Sequence, residues 1–121
     1  MKLALLEKKL NQLLAQYNME NDLVQRTKFV LHKIIQSQRP TLKSVARELS
    51  MTDRTFKRYL KEQGTQFRDL LKEVKIELCD GYIKAGLSYP EIAQLLWYYD
   101  QSALTRAYKQ WHGAAPSEHL R

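Results

Sequence analysis

Apolar residues recur along most of the chain at three- and four-residue steps, the period of an α-helix that turns one face to a core. Leu3, Leu6, Leu10, Leu13 and Tyr17 alternate those two steps and predict a heptad-like amphipathic helix over residues 3–18. A polar break follows, in which Asn21 or Asp22 can cap the next helix. Leu23, Phe29, Val30, Ile34 and Ile35 then mark an apolar face up to about Gln38. Pro40 closes this helix, because the residue before a proline resists helical backbone angles. Thr41 is the next N-cap, ahead of a short helix with Leu42, Val45, Ala46 and Leu49 on one face, ending near Ser50. Thr52 starts another helix, with Phe56, Tyr59 and Leu60 expected inward and Gly64 at its end. Phe67, Leu70, Leu71, Val74, Leu78 and Tyr82 predict a longer helix to about Ala85, stopped by Gly86.

The layout then repeats. Ser88 caps, Pro90 sits early, where its missing N–H costs nothing, and Ile92, Ala93, Leu95 and Leu96 form a short apolar face. A turn at residues 97–100 leads into a last long helix with Leu104, Tyr108 and Trp111 inward, ended by Gly113. Pro116 opens a short closing segment. No strand-like alternation of useful length is present. The pattern predicts an all-α fold of two helix-turn-helix lobes joined by a long linker helix, about seven helices, preceded by an extra N-terminal amphipathic helix. The expected divisions are residues 1–22 (N-terminal helix or linker), 23–66 (first lobe), 67–86 (linker helix) and 87–121 (second lobe).

Composition sharpens this picture. In 121 residues, 44% are hydrophobic, enough for a core, and only 4 are Gly and 3 Pro, too few for a many-stranded sheet. Twenty Lys and Arg against 13 Asp and Glu leave a formal charge of +7, which favours a polyanionic partner. One cysteine, Cys79, excludes an internal disulfide and a cysteine zinc cluster and suits a reducing cytoplasm. No apolar run approaches 18 residues, so no membrane span or membrane partner is expected.

The chemistry lies in the two helix-turn-helix units. In "TLKSVARELSMTDRTFKRYLKEQG", Ala46 allows close approach of two helices, and the second helix offers Arg54, Lys57, Arg58 and Lys61 along one face. Arginine can bond guanine bidentately, and lysine can reach guanine or phosphate. In "SYPEIAQLLWYYDQSALTRAYKQWHG", Ala93 takes the place of Ala46, and Gln101, Ser102, Thr105, Arg106 and Lys109 turn outward. Gln at a helix start can read adenine, and Arg106 guanine or phosphate. The other reading of such rows is a solvated charged face. An enzyme would need a constellation that is absent: His32, His112 and His119 have no paired metal-ligand spacing, so neither a cofactor nor a metal is expected. His112 is expected at a helix C-terminus, Cys79 as a buried inert thiol, and the scattered glutamates (Glu7, Glu48, Glu62, Glu73, Glu77, Glu91) in surface ion pairs.

From about Leu23 to Arg121 the chain resembles the DNA-binding domain of AraC/XylS-type transcription activators. The match is most specific in "EIAQLLWYYDQSALTRAYKQWHGAAPSEHLR", with its Ile-Ala pair, Asp-Gln-Ser helix start, Arg-Ala-aromatic-Lys run, Gly, and Pro followed by a terminal Arg. The resemblance implies two reading helices, the third and sixth counted from Leu23. It places base contacts on Arg54, Lys57 and Arg58, and on Gln101, Ser102, Ala103 and Arg106, Ala103 offering only an apolar contact such as to a thymine methyl. Helix-start amides near Thr41, Thr52 and Ser88 are the expected phosphate holders. The implied function is sequence-specific binding of double-stranded DNA in bacterial transcription regulation, reading adjacent major grooves. RNA polymerase is a further partner the resemblance implies, and a partner-binding module docking acidic protein surfaces is the competing class. Such readers usually follow a sensing or dimerising domain, so the chain is expected to be part of a longer effector-responsive regulator. The N-terminal helix then either packs on its own or a missing domain or pairs with a second copy. One departure stands out: the turn glycine usual in the family is Ser50 in the first unit and Trp97 in the second. Such a site favours positive φ, so either another turn geometry or a different tilt of the second lobe is expected. Trp97, Tyr98 and Tyr99 are read as core filler or as an aromatic patch for DNA backbone or a partner.

Overall fold

In the computed structural model, residues 4–12 and 22–116 are described. Helix α1 covers residues 4–12, followed by α2 (Leu23–Ile34), α3 (Leu42–Glu48), α4 (Asp53–Glu62), α5 (Phe67–Lys84), α6 (Tyr89–Leu95) and α7 (Gln101–His112). No strand occurs among the described residues, in line with the all-α expectation. Leu3, Leu13 and Tyr17 of the N-terminal stripe lie outside them, as does the closing segment beyond Pro116. Leu6 and Leu10 remain 64% and 56% exposed, so this part of α1 does not pack on the lobes.

Local chemistry starts five of the helices. The side chains of Asp22, Thr41, Thr52, Ser88 and Asp100 accept from the backbone N–H of Gln25, Ser44, Thr55, Glu91 and Ala103 at 2.8–3.3 Å. At α3 the bond is reciprocal: the Thr41 N–H donates to Ser44 Oγ at 3.1 Å, closing a capping box. Each such cap contributes about 1 kcal/mol.

Two cores form around one shared helix. Leu70 and Val74 of α5 close the first core beneath Val45, Ala46, Phe56 and Leu60. One turn further, Cys79 belongs to the second core with Ile92, Ala93, Leu96, Leu104 and Tyr108, and Leu78 touches both. Ile35, the C-cap of α2, also enters the second core. Because α5 is common to both, the lobes are held by one rigid rod rather than by a loop.

Three residues read as inward are not. Phe29 is 72% exposed, because the buried face of α2 runs through Leu23, Thr27, Leu31 and Ile34. Two residues from Thr27, Phe29 lies about 200° round the helix. Tyr59 and Leu95 sit at the rim of their helices, at 37% and 42% exposure. Helix α2 also stops at Ile34 rather than near Gln38, in a turn where the Ser37 and Gln38 N–H groups both donate to the Ile34 carbonyl.

Thr27 is fully buried, and its hydroxyl has no hydrogen-bond partner among the described residues. Burial of an unpaired hydroxyl costs about 1–3 kcal/mol. The near-isosteric Thr27→Val is therefore expected to raise the melting temperature. A fall in a thermal melt would show that the hydroxyl is satisfied.

Cys79 is buried, and burial, with Asp80 adding to it, pushes its thiol from 9.0 up to about 11. An unfolded chain therefore loses this proton first as pH rises. The contribution is intact below pH 9 and is lost between about 9 and 11. Reaction with a thiol reagent at pH 8 is expected only after denaturation; rapid labelling of the folded chain would contradict this burial.

Candidate nucleic-acid interface

The two helix-turn-helix units make the same pair of backbone bonds where their turns begin. In the first, Ser50 N–H donates to the Arg47 carbonyl and Met51 N–H to the Ala46 carbonyl, at 3.0 and 2.9 Å. In the second, Trp97 N–H donates to Gln94 and Tyr98 N–H to Ala93, at 3.2 and 2.9 Å. The turn residues take positive φ although neither is glycine, 56° at Ser50 and 66° at Trp97. Of the two alternatives expected, another turn geometry is thus ruled out: the left-handed turn is kept, at a strain of about 1–2 kcal/mol per residue. At Trp97 a compensating bond exists, because its indole Nε1 donates to the Ile35 carbonyl at 2.7 Å.

The units differ in length. Ala46 precedes the first residue of α4 by seven positions, and Ala93 precedes that of α7 by eight. The second turn is one residue longer, and Tyr99, immediately before the Asp100 cap, is 98% exposed. The run 97–99 therefore divides: Tyr98 packs against the second core, Trp97 is partly covered, and Tyr99 stands in solvent.

Beyond the turns the helices match again. Phe56 and Leu60 on α4, and Leu104 and Tyr108 on α7, are buried four residues apart in each helix. That fixes what points away. Arg54, Lys57, Arg58 and Lys61 are exposed on α4; at the equivalent places on α7 stand Ser102, Thr105, Arg106 and Lys109. Gln101, Ser102, Arg106 and Lys109 are exposed, while Ala103 and Thr105 are half-buried. The Asp100 carboxylate occupies the Ala103 N–H at 2.8 Å and so sets the direction in which α7 begins. The Arg58 guanidinium lies 5.2 Å from the Tyr59 ring centroid, a cation–π contact that gives the rim position of Tyr59 a use.

Charge is sorted in the same way. None of Arg54, Lys57, Arg58, Lys61, Arg106 and Lys109 forms an ion pair with a described residue. The ion pairs lie elsewhere: Lys28 meets Glu73 at 2.8 Å and Glu77 at 3.8 Å, His32 meets Glu77 at 3.5 Å, and Lys33 meets Glu48 at 3.8 Å. The hydrogen bond with Glu73 raises the Lys28 pKa. The ion pairs expected of Glu48, Glu73 and Glu77 are present; Glu62 and Glu91 have none with a described residue. His112 ends α7 as expected, with Nε2 3.7 Å from Asp80 Oδ1.

At the helix starts, Asp53 and Glu91 place carboxylates in the first turns of α4 and α6, and Pro90 removes an amide from α6. Only α3 among the three expected phosphate holders begins without an acidic residue. Among the described residues no group of three or more His, Cys, Asp and Glu could hold a metal ion, and no helix is long and apolar enough to cross a membrane.

Residues 45–121 match the family model for the helix-turn-helix domain. An uncharacterised HTH-type transcriptional regulator of Mycobacterium tuberculosis is 40% identical over 83 residues, 68% of this chain and 24% of that protein. The ornithine utilization regulator of Pseudomonas aeruginosa is 36% identical over 81 residues, 66% of this chain and 24% of that protein. This chain thus spans about a quarter of the length of the curated relatives it matches. In three dimensions, a DNA-binding transcriptional dual regulator from Escherichia coli K-12 is similar with a TM-score of 0.72 at 26% identity, covering 79% of this chain and 92% of that one. The paired turns, the repeated buried faces and these likenesses agree: the chain belongs to the AraC-type helix-turn-helix family of transcription-regulator DNA-binding domains.

Proposed function

We propose that this chain binds double-stranded DNA sequence-specifically, with α4 and α7 entering successive major grooves. The observation that carries this reading is the pair of matched outer faces, whose six cations have no carboxylate partner among the described residues. Arg54, Lys57 and Arg58 contact bases from α4, and Lys61 extends the row to the backbone. From α7, Gln101, Ser102 and Arg106 contact bases, the Ala103 methyl makes an apolar contact, and Thr105 and Lys109 support them. Unpaired surface cations gain from counterion release when they meet phosphates. The absence of an acid in the first turn of α3 favours its start over those of α4 and α6 as a further backbone contact.

On this reading the chain is the DNA-binding part of a longer, effector-responsive regulator working in the bacterial cytoplasm, with RNA polymerase as a further partner. The exposed Leu6 and Leu10 of α1 fit pairing with the same helix of a second copy.

Selection of bound sequences from a random duplex pool tests the central claim. Two blocks of preferred bases, with centres about 34 Å apart along the duplex, are expected. Affinity should fall steeply with salt while a residual preference survives. Failure to bind any duplex at low salt overturns the reading.

A further inference from the structure

Between the lobes runs a groove of about 610 Å3. Gln36, Ser37 and Arg39, which follow α2, form one wall, and Trp97, Tyr98 and Tyr99 of the α6–α7 turn form the other. The Trp97–Ile35 hydrogen bond ties the two walls together. No carboxylate lines the groove. Beside it, Lys75 of α5 places Nζ 4.3 Å from the Tyr98 ring centroid. Burial, and secondarily the charge of Arg39, lower the Lys75 pKa, so the two cations feel one another. Neither is ion-paired with a described residue. Arg39 lines the groove and Lys75 lies behind its Tyr98 wall, so an anion seated beside Arg39 would offset this crowding of positive charge.

The position of the groove says which anion. Arg39 lies just ahead of the Thr41 cap that opens the first helix-turn-helix unit. Tyr99 lies just ahead of the Asp100 cap that opens the second reading helix. On the two-helix reading, the duplex backbone runs past the starts of α3 and α7, where Arg39 and Tyr99 stand. Tyr99 is the residue by which the second turn exceeds the first, and no internal packing accounts for an aromatic ring 98% exposed there.

We propose that this interlobe groove seats a backbone phosphate of the bound duplex, gripped by the Arg39 guanidinium, with the Tyr99 ring packed against the adjoining sugar. The proposal rests on both reading helices engaging DNA at once. Arginine suits the seat because its planar fork can hold two phosphate oxygens. A phosphate held between the lobes fixes the spacing at which the two base-reading sites are presented, without reading sequence itself.

Ethylation interference and salt titration on the full 121-residue chain, with a selected duplex, test the seat. Wild type is expected to show two outer clusters of sensitive phosphates and one sensitive phosphate between them. Arg39→Ala should abolish the central interference alone and weaken binding about tenfold, equally for all sequences. The slope of log affinity against log salt should become shallower by about 1. Tyr99→Ala should weaken binding without changing that slope. Both residues are exposed, so unchanged melting temperatures are expected and serve as the folding control. If the outer clusters appear but Arg39→Ala leaves the slope and the central phosphate unaltered, the seat is refuted while the two-helix reading stands. A single cluster in wild type would overturn the two-helix reading, and the seat with it.

Discussion

Changing Arg58 and Arg106 together to alanine is expected to lower affinity for a selected operator about 100-fold or more while leaving the fold unchanged. Both side chains are exposed at equivalent places on α4 and α7, and neither has a carboxylate partner among the described residues. Their removal therefore leaves no buried charge behind. A bidentate arginine–guanine pair is worth about 1–3 kcal/mol of discrimination. The two sit in separate lobes with separate cores, so their effects should add to within about 0.5 kcal/mol. The measurement is a pair of titrations at one salt concentration, against the operator and against a scrambled duplex. Operator affinity should fall far more than scrambled affinity. Parallel falls would make both arginines phosphate contacts and would remove base reading from these positions.

Phe56→Ala should have the largest effect on stability, about 3–5 kcal/mol, by loss of buried area and creation of a cavity. Phe56 is fully buried and meets Phe67 edge to face, with centroids 6.3 Å apart and planes at 68°. It lies on the inner face of α4, so it sets the angle at which Arg54, Lys57 and Arg58 leave the surface. Domains of this size have about 5–15 kcal/mol in total, so about a fifth or more is at stake. Chemical denaturation should show an earlier midpoint, with DNA binding lost in step with the fold. Because α5 serves both cores, one cooperative transition is expected. A cost below about 1 kcal/mol, or a second lobe that melts separately, would contradict the shared-rod description.

Much of the candidate interface was legible in the sequence because its determinants are local. The outer rows on α4 and α7 follow from Phe56 and Leu60, and from Leu104 and Tyr108, at helical spacing. Where that reading failed, the residue sat at the edge of an apolar stripe. Tyr59, Leu95 and Phe29 are large and apolar, but the angular position of each puts it at or beyond the rim of the packed face. Hydrophobicity alone overrated them.

What the sequence determined by itself spans no more than about one helical turn. It includes the all-α class, the helix starts at Thr41, Thr52 and Ser88, and the two repeated units with their basic outer faces. These depend on neighbours three or four residues apart, which repeat with the helix. The positive φ at Ser50 and Trp97 was foreseen as a difficulty, but only the folded chain showed that the turn is kept and that the Trp97 indole reaches Ile35, 62 residues away. The groove that joins Arg39, Tyr98 and Tyr99 beside Lys75, and the sharing of α5 by two cores, were likewise decided by packing. Side chains from separate helices meet only when the crossing of those helices is set, and that depends on many buried contacts at once, not on any local spacing.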